Sequence, residues 1–267
     1  MKKYTQADFD AFEVIDGIKQ CPSGDYSDIQ IFGECCSFGE WCSFSKQCSF
    51  GEDCSFGERC SFGERCSFGK WCSFGEWCSF GKGCSFGECC SFGKCCSFGR
   101  ACSFGRACSF GEWCSFGEYC SFGKWCSFSK QCSFGEDCSF GEECSFGEEC
   151  SFGEWCSFGK GCSFGKQCSF GACCSFGECC SFGECCSFED KGEYIGDYPF
   201  LAFVGFGSRI GSKVYFFNLQ DGIYVRCGCW LSNIAGFRER VKEKNADAMY
   251  LDLCDLVERK FNRKNSK

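Results

Sequence analysis

The sequence predicts an all-β chain built on a parallel β-solenoid, three-sided with three hexapeptides to a coil, and closed by a small α+β cap at its C-terminal end. Three observations carry that reading. Between Cys36 and Phe188 one hexapeptide, Cys-Ser-Phe-Gly-x-x, recurs without an insertion, and its Cys slot is filled 26 times. A fixed short period means stacked units that touch only their neighbours. Within Cys-Ser-Phe the residues alternate as in a strand, so an inward Phe puts the Cys two positions earlier inward and the Ser outward. The charges at the first variable slot are also correlated. Of 23 pairs spaced 18 apart, which is three hexapeptides, 15 are opposite in sign, against about 11 by chance, and opposite charges are what stacked neighbours favour. The column Glu76, Lys94, Glu112, Lys130, Glu148, Lys166, Glu184 alternates throughout.

Residues 1–30 are expected to cap the first coil, since an open solenoid end is an exposed sheet edge. Phe9, Phe12, Val14 and Ile18 supply apolar side chains there, and Asp16-Gly17 is a hairpin signal. Residues 31–189 form the solenoid. A degenerate hexad, Gln30 to Cys35, brings the total to 27, or nine coils of three. At ~4.8 Å per coil that makes a rod of roughly 43 Å. Cys72, Phe74, Cys90, Phe92, Cys108, Phe110, Cys126 and Phe128 are predicted to line one inner side, the large Phe complementing the small Cys. Ser45 and Ser129 replace the Gly of the motif, so that corner does not demand a positive φ. Trp41–Gln47 recurs as Trp125–Gln131, fourteen hexads further on. Since fourteen is not a multiple of three, the copies land on different sides, as recombination between similar units would leave them.

Residues 190–267 change pattern. Phe200–Phe206, Lys213–Leu219 and Ile223–Trp230 read as three strands. Ser232 or Asn233 then caps a helix running to about Lys244, and Asn245 or Asp247 opens a second. Net charge is −8 overall. The solenoid holds 20 acidic and 12 basic residues, whereas residues 190–267 hold 13 basic and 10 acidic.

Read from its Phe, the unit Phe-Gly-x-x-Cys-Ser resembles the hexapeptide pattern of left-handed parallel β-helices, in which three hexapeptides close a triangular coil. It departs from them in placing Phe where an aliphatic residue is usual. The resemblance implies a left-handed coil. The tail Lys213–Cys229 and the start Tyr4–Phe12 resemble uncharacterised Cys-Ser-Phe-Gly-repeat proteins of gut bacteria, which implies architecture and no activity.

Cysteine invites three chemical readings. Of 36 Cys, 26 occupy the repeat slot and six precede it (Cys35, Cys89, Cys95, Cys173, Cys179, Cys185). Stacked inward thiols stand ~4.8 Å apart, beyond disulfide reach, and pack as small apolar groups. No two of the six outward thiols stand three hexads apart, which argues against a metal stripe. Cys227 and Cys229, with Cys254 and Cys21, are the remaining candidate zinc ligands, but they lack Cys-x-x-Cys knuckles. No metal or cofactor is therefore expected.

Histidine is absent. Acyltransferases of the left-handed β-helix family use a histidine base, and that role has no candidate here. Ser-His-Asp and Cys-His mechanisms are equally excluded. The six Trp of the repeats, at 41, 71, 77, 113, 125 and 155, all precede a repeat Cys. They fall on all three sides and form no single stripe. The expectation is a non-enzymatic structural or protein-binding rod, with the C-terminal unit as cap or partner module and oligomerisation left open. The alternative is an acidic nucleic-acid mimic that occupies a DNA-binding protein, for which −8 is weak imitation of a duplex. An ice-binding rod needs a flat uncharged face, and Glu and Lys on every side oppose it. Binding of nucleic acid itself is not expected. No membrane span is seen, and the start Met1–Asp8 has no apolar core of a signal peptide. A cytoplasmic location with reduced thiols is expected.

Overall fold

A computed structural model describes residues 1–171, 174–177, 180–183, 186–188, 200–204, 213–219, 222–227, 230–244 and 249–262. The repeat region is a parallel β-solenoid of nine coils. Its strands run from β3 (Ile31–Phe32) and β4 (Cys36–Phe38) through twenty-five two-residue Ser-Phe strands, β5 (Ser43–Phe44) to β29 (Ser187–Phe188). Each pairs with the strand three places along, in register, so Ser73 pairs with Ser55 and with Ser91. Three parallel sheets result, one per side, and each coil is three hexads, as the charges predicted.

Two residues are enough for a strand here because the coil neighbours complete the ladder. The Ser N–H donates to the Cys carbonyl of the preceding coil and the Gly N–H to the Phe carbonyl, as in Ser61 to Cys42 at 2.8 Å and Gly63 to Phe44 at 3.1 Å. The corner residue before each Cys donates the other way, as in Trp77 to the Lys94 carbonyl at 2.9 Å. To aim that N–H along the rod, the corner residue adopts a left-handed conformation. Trp77 has φ 61°, Ala101 and Ala107 57° and Gln131 60°, and only at Gly83 and Gly161 is a glycine described there. Such a conformation costs a non-glycine residue about 1 kcal/mol or more, which the inter-coil hydrogen bond offsets. The motif's own Gly has a different cause. At Gly93 a Cβ would stand 2.7 Å from the Glu76 nitrogen and the Gly75 carbonyl carbon of the coil below. Close approach, not φ, selects glycine there, and Ser129 keeps its ladder bond to Phe110 at 3.0 Å.

The interior is three columns of Phe and three of Cys. Within a coil the rings meet edge to face: Phe74–Phe80 at 5.0 Å and 87°, Phe80–Phe86 at 5.1 Å and 87°. Between coils they stack in parallel, Phe62–Phe80 at 4.8 Å and 2°. Both are favoured aromatic geometries, worth about 0.5–1.5 kcal/mol per pair beyond burial. The near-zero interplanar angle also means that successive coils scarcely rotate, so each residue column runs along the rod axis. All eight residues expected to line one side are buried, Cys72 to Cys126 fully and Phe74 to Phe128 to within 5%.

The N-terminal cap contains features that the sequence reading missed. Helix α1 (Gln6–Asp10) starts at a capping box between Thr5 and Asp8, a signal present in the sequence. β1 (Val14–Ile15) and β2 (Ile18–Cys21) form the expected hairpin, with Asp16 and Gly17 both at positive φ. Val14 and Ile18 are exposed, not packed. Tyr26 instead plugs the end. It lies three hexads before Phe44, stacks on that ring at 5.4 Å, and carries Tyr4 on its outer face at 5.1 Å. Its hydroxyl donates to the Pro22 carbonyl at 2.5 Å. Asp25 bridges Ser43 in the same register. A degenerate hexad thus begins at Gly24, one earlier than its sequence betrays, because Tyr and Asp stand in the Phe and Ser slots.

The C-terminal unit has four antiparallel strands, not three: β30 (Phe200–Val204), β31 (Lys213–Leu219), β32 (Gly222–Cys227) and β33 (Trp230–Asn233). The run Ile223–Trp230 is split because Cys227 pairs antiparallel with Trp230, so the chain reverses between them. Helix α2 (Ile234–Glu243) is capped by Asn233, whose side chain accepts from the Gly236 N–H at 2.8 Å. Helix α3 (Met249–Asn262) follows, and its expected caps Asn245 and Asp247 lie outside the described residues. One face of the sheet, with Val214, Phe216 and Val225, packs on Phe237, Val241 and Val257 of the helices. The other meets the last coil. Tyr215 and Arg226 are cross-strand partners. The Tyr215 hydroxyl donates to the Cys180 carbonyl, Arg226 donates to the Cys174 carbonyl at 2.8 Å, and its guanidinium lies 4.9 Å from the Phe176 ring. Among the described residues no helix is long and apolar enough to cross a membrane.

Two outcomes test these assignments. Replacing Phe92, Phe98 and Phe104 of one coil with Ala should cost about 3–5 kcal/mol each, read as a lower denaturant midpoint; a variant as stable as the parent would refute the inward register. Ala101→Gly and Ala107→Gly should be neutral or stabilising by up to ~1 kcal/mol in thermal melts, where the same change in an ordinary strand destabilises.

Candidate functional surface

The inner surface is a thiol column with a hydrogen-bond role that the sequence did not suggest. Each repeat thiol from Cys54 onward donates to the carbonyl of the residue 21 positions earlier, as in Cys72 to Gly51, Cys90 to Gly69, Cys108 to Gly87 and Cys126 to Gly105, all at 3.4 Å. That carbonyl sits at the inner edge of the tight corner. A buried acceptor left alone costs about 1–3 kcal/mol. Cys therefore does what Val or Ala cannot: it fills the corner and supplies a donor. For Cys90 and Cys108 the neighbouring thiol one coil along, followed by burial, pushes the pKa up to about 12. Neither thiol has a cation beside it to favour thiolate. Among the described residues no cysteine is joined in a disulfide.

The outer surface is set by two slots. At the first variable slot, charges one coil apart close into ion pairs: Lys124–Glu142 at 2.9 Å, Arg106–Glu88 at 3.1 Å, Lys94–Glu112 at 3.3 Å, Lys82–Glu64 at 3.4 Å. Glu88 also reaches Lys70, and Glu112 also reaches Lys130, each at 3.7 Å. These are exposed pairs worth about 0–1 kcal/mol each, and their value lies in register. At the second slot sit the exposed aromatics. The six Trp do fall on all three sides, yet Trp41, Trp77 and Trp113 share one corner at every second coil, since Ser43, Ser61, Ser79, Ser97 and Ser115 stack in one sheet. Each is about half exposed. The Arg59 guanidinium lies 4.7 Å from the Trp41 ring.

Of the candidate zinc ligands, Cys21 lies apart from Cys227 and Cys254. Cys21 belongs to the core at the N-terminal end, and Cys254 is buried among the C-terminal helices with Cys227 packed against that core. Burial pushes Cys254 up to about 11. Cys229 lies outside the described residues, as do the outward Cys173, Cys179 and Cys185. Among the described residues no three metal-binding side chains come together.

Compared with known protein families, curated proteins and solved structures, the chain matches none.

The Cys90 and Cys108 thiols set a pH dependence. A thiol whose folded pKa is raised above the unfolded ~8.5 stabilises the fold fully below that pH, and its contribution is lost as pH rises toward 12. The stability that these two thiols contribute should be flat around neutrality and fall above about pH 9, read by circular dichroism of the parent against Cys90→Ala and Cys108→Ala. Under native reducing conditions a thiol reagent should label far fewer than the 36 cysteines; rapid full labelling would place the column outside.

Proposed function

We propose that this chain is a non-enzymatic rigid rod that holds surface groups, and the proteins bound to them, at a fixed pitch. The observation that carries the reading is the uninterrupted stack of nine coils, with a 4.8 Å ring spacing, 2° between planes and both ends covered by dedicated structure. A fold that invests nearly every buried residue in uniform stacking is suited to a constant spacing. The absence of histidine removes the base that most hydrolytic and acyl-transfer mechanisms rely on.

The C-terminal unit is the second part of the proposal. Its sheet uses one face to close the solenoid and the other to seat two helices, and the second helix, α3, carries exposed Met249 and Leu256. That leaves a helix surface for a protein partner at one end of the rod. A reducing compartment such as the cytoplasm suits an interior of neutral thiols. The nucleic-acid mimic is the less supported reading, because Lys and Arg are interspersed with Glu along the solenoid's columns and Glu64, Glu88, Glu112 and Glu142 close ion pairs one coil away. Duplex DNA presents one unpaired charge per ~1.7 Å.

The full chain, used as bait, should retain a partner at fixed stoichiometry. Excess rod should leave the complexes of DNA-binding enzymes with duplex DNA intact in competition assays. Displacement of the DNA would overturn the rod reading in favour of mimicry.

A further inference from the structure

Opposite charges alternate along much of the first-slot columns, and the longest departures are two runs of three glutamates. Glu40, Glu58 and Glu76 stack on three successive coils in one column. Like charges in direct register are destabilising, and among the described residues none of the three carries an ion pair. They run beside Trp41, Arg59 and Trp77, each carboxylate one residue before its corner neighbour. The arrangement occurs a second time. Glu118, Glu136 and Glu154 stack in another column beside Tyr119 and Trp155, which again stand two coils apart and are exposed. That both of the longest breaks in the charge rule lie next to exposed aromatics marks a surface kept for something other than stability.

The spacing says what fits. Coils rise 4.8 Å with 2° between ring planes, so aromatics two coils apart stand about 9.6 Å apart along a straight edge. A polyproline II helix has three residues per turn and rises about 9.3 Å per turn. Its prolines at every third position therefore face one side at nearly the pitch of the aromatic corner. Proline rings on aromatic faces are the usual way such helices are held. Over the three-member row Trp41, Trp77, Trp113 the mismatch grows to only about 0.6 Å. The neighbouring carboxylate column supplies the complement for basic side chains on the same segment. The third corner gives a built-in contrast: Trp71 and Trp125 are three coils apart, about 14.4 Å, which is no multiple of the polyproline turn.

We propose that these two corners bind a proline-rich, basic segment of a partner protein in the polyproline II conformation, its Pro-x-x-Pro repeat seated on aromatics of alternate coils and its Lys or Arg on the stacked carboxylates. The proposal rests on the rod reading and names the partner chemistry that the rod's pitch selects.

The test uses the full chain and a synthetic peptide with prolines at positions i, i+3 and i+6, flanked by Lys and Arg. Binding is followed by calorimetry. The control peptide has the same composition with prolines two and four apart. The expected result is binding of the first peptide at least tenfold tighter than of the control, weakened by added salt. The double variant Trp77→Gln with Trp155→Gln should lose at least tenfold. The double variant Trp71→Gln with Trp125→Gln should bind as the parent does. Glutamine already occupies this slot at Gln47, Gln131 and Gln167 in the same left-handed conformation, and unchanged circular dichroism confirms folding. Equal affinity for both peptides, no binding, or loss in the Trp71/Trp125 pair as large as in the Trp77/Trp155 pair overturns the proposal. Peptide failure alongside a stoichiometric partner captured by the full chain would remove this inference and leave the rod reading standing.

Discussion

In-register stacking at 4.8 Å places every residue of one coil above the same slot of the coil below, and the rest of the structure is a response to that constraint. Apolar side chains profit from it. Phe over Phe gives an offset stack at 2°, and the three rings of a coil meet nearly at right angles, so one residue type satisfies both contacts. The backbone profits as well, since each short strand is completed by its neighbours above and below. The corners carry the cost. The chain turns in so few residues that at Gly93 a Cβ would approach the coil below to 2.7 Å, and the corner position is held at positive φ on residues as large as Trp.

Cysteine is explained by the same corner. The carbonyls of Gly69 and Gly87 at the corner accept from the thiol three and a half hexads on, at 3.4 Å. At Cys90 and Cys108 the neighbouring thiol and burial favour the neutral form, and neutral thiols in an apolar interior are inert. A cysteine content that would otherwise suggest disulfides or metal is, in this fold, a packing and hydrogen-bonding device.

Charge is the one class of side chain for which stacking like on like is harmful. Most stacked pairs avoid it by alternating sign, and the ion pairs that close across coils report the register. The two runs of three stacked glutamates depart from that rule, each beside exposed aromatics two coils apart. Regular spacing thus does double duty, holding the interior together and presenting a fixed pitch to whatever lies along the rod. At the ends the constraint has to be interrupted, by Tyr26 continuing a Phe column into the N-terminal cap and by Tyr215 with Arg226 closing the last coil.

The repeat by itself determined the three-hexad coil, the inward Phe and Cys and the outward charge, because a strict period leaves local alternation and charge correlation nothing to conflict with. Outside the repeat, Asn233 marked the start of one C-terminal helix and the apolar pattern from Tyr250 to Phe261 marked a second. Tyr26 was hidden because its hexad keeps none of the motif letters in their slots. The extra strand at Trp230–Asn233 was hidden because a chain reversal within an apolar run carries only a Gly as its sign. The left-handed corner on Trp, Arg and Glu has no sequence signal, since it is imposed by the direction of a hydrogen bond to the next coil. The alignment of Trp41, Trp77 and Trp113 was decided only in three dimensions: positions six hexads apart in sequence become neighbours on an edge because the coils stack without twist.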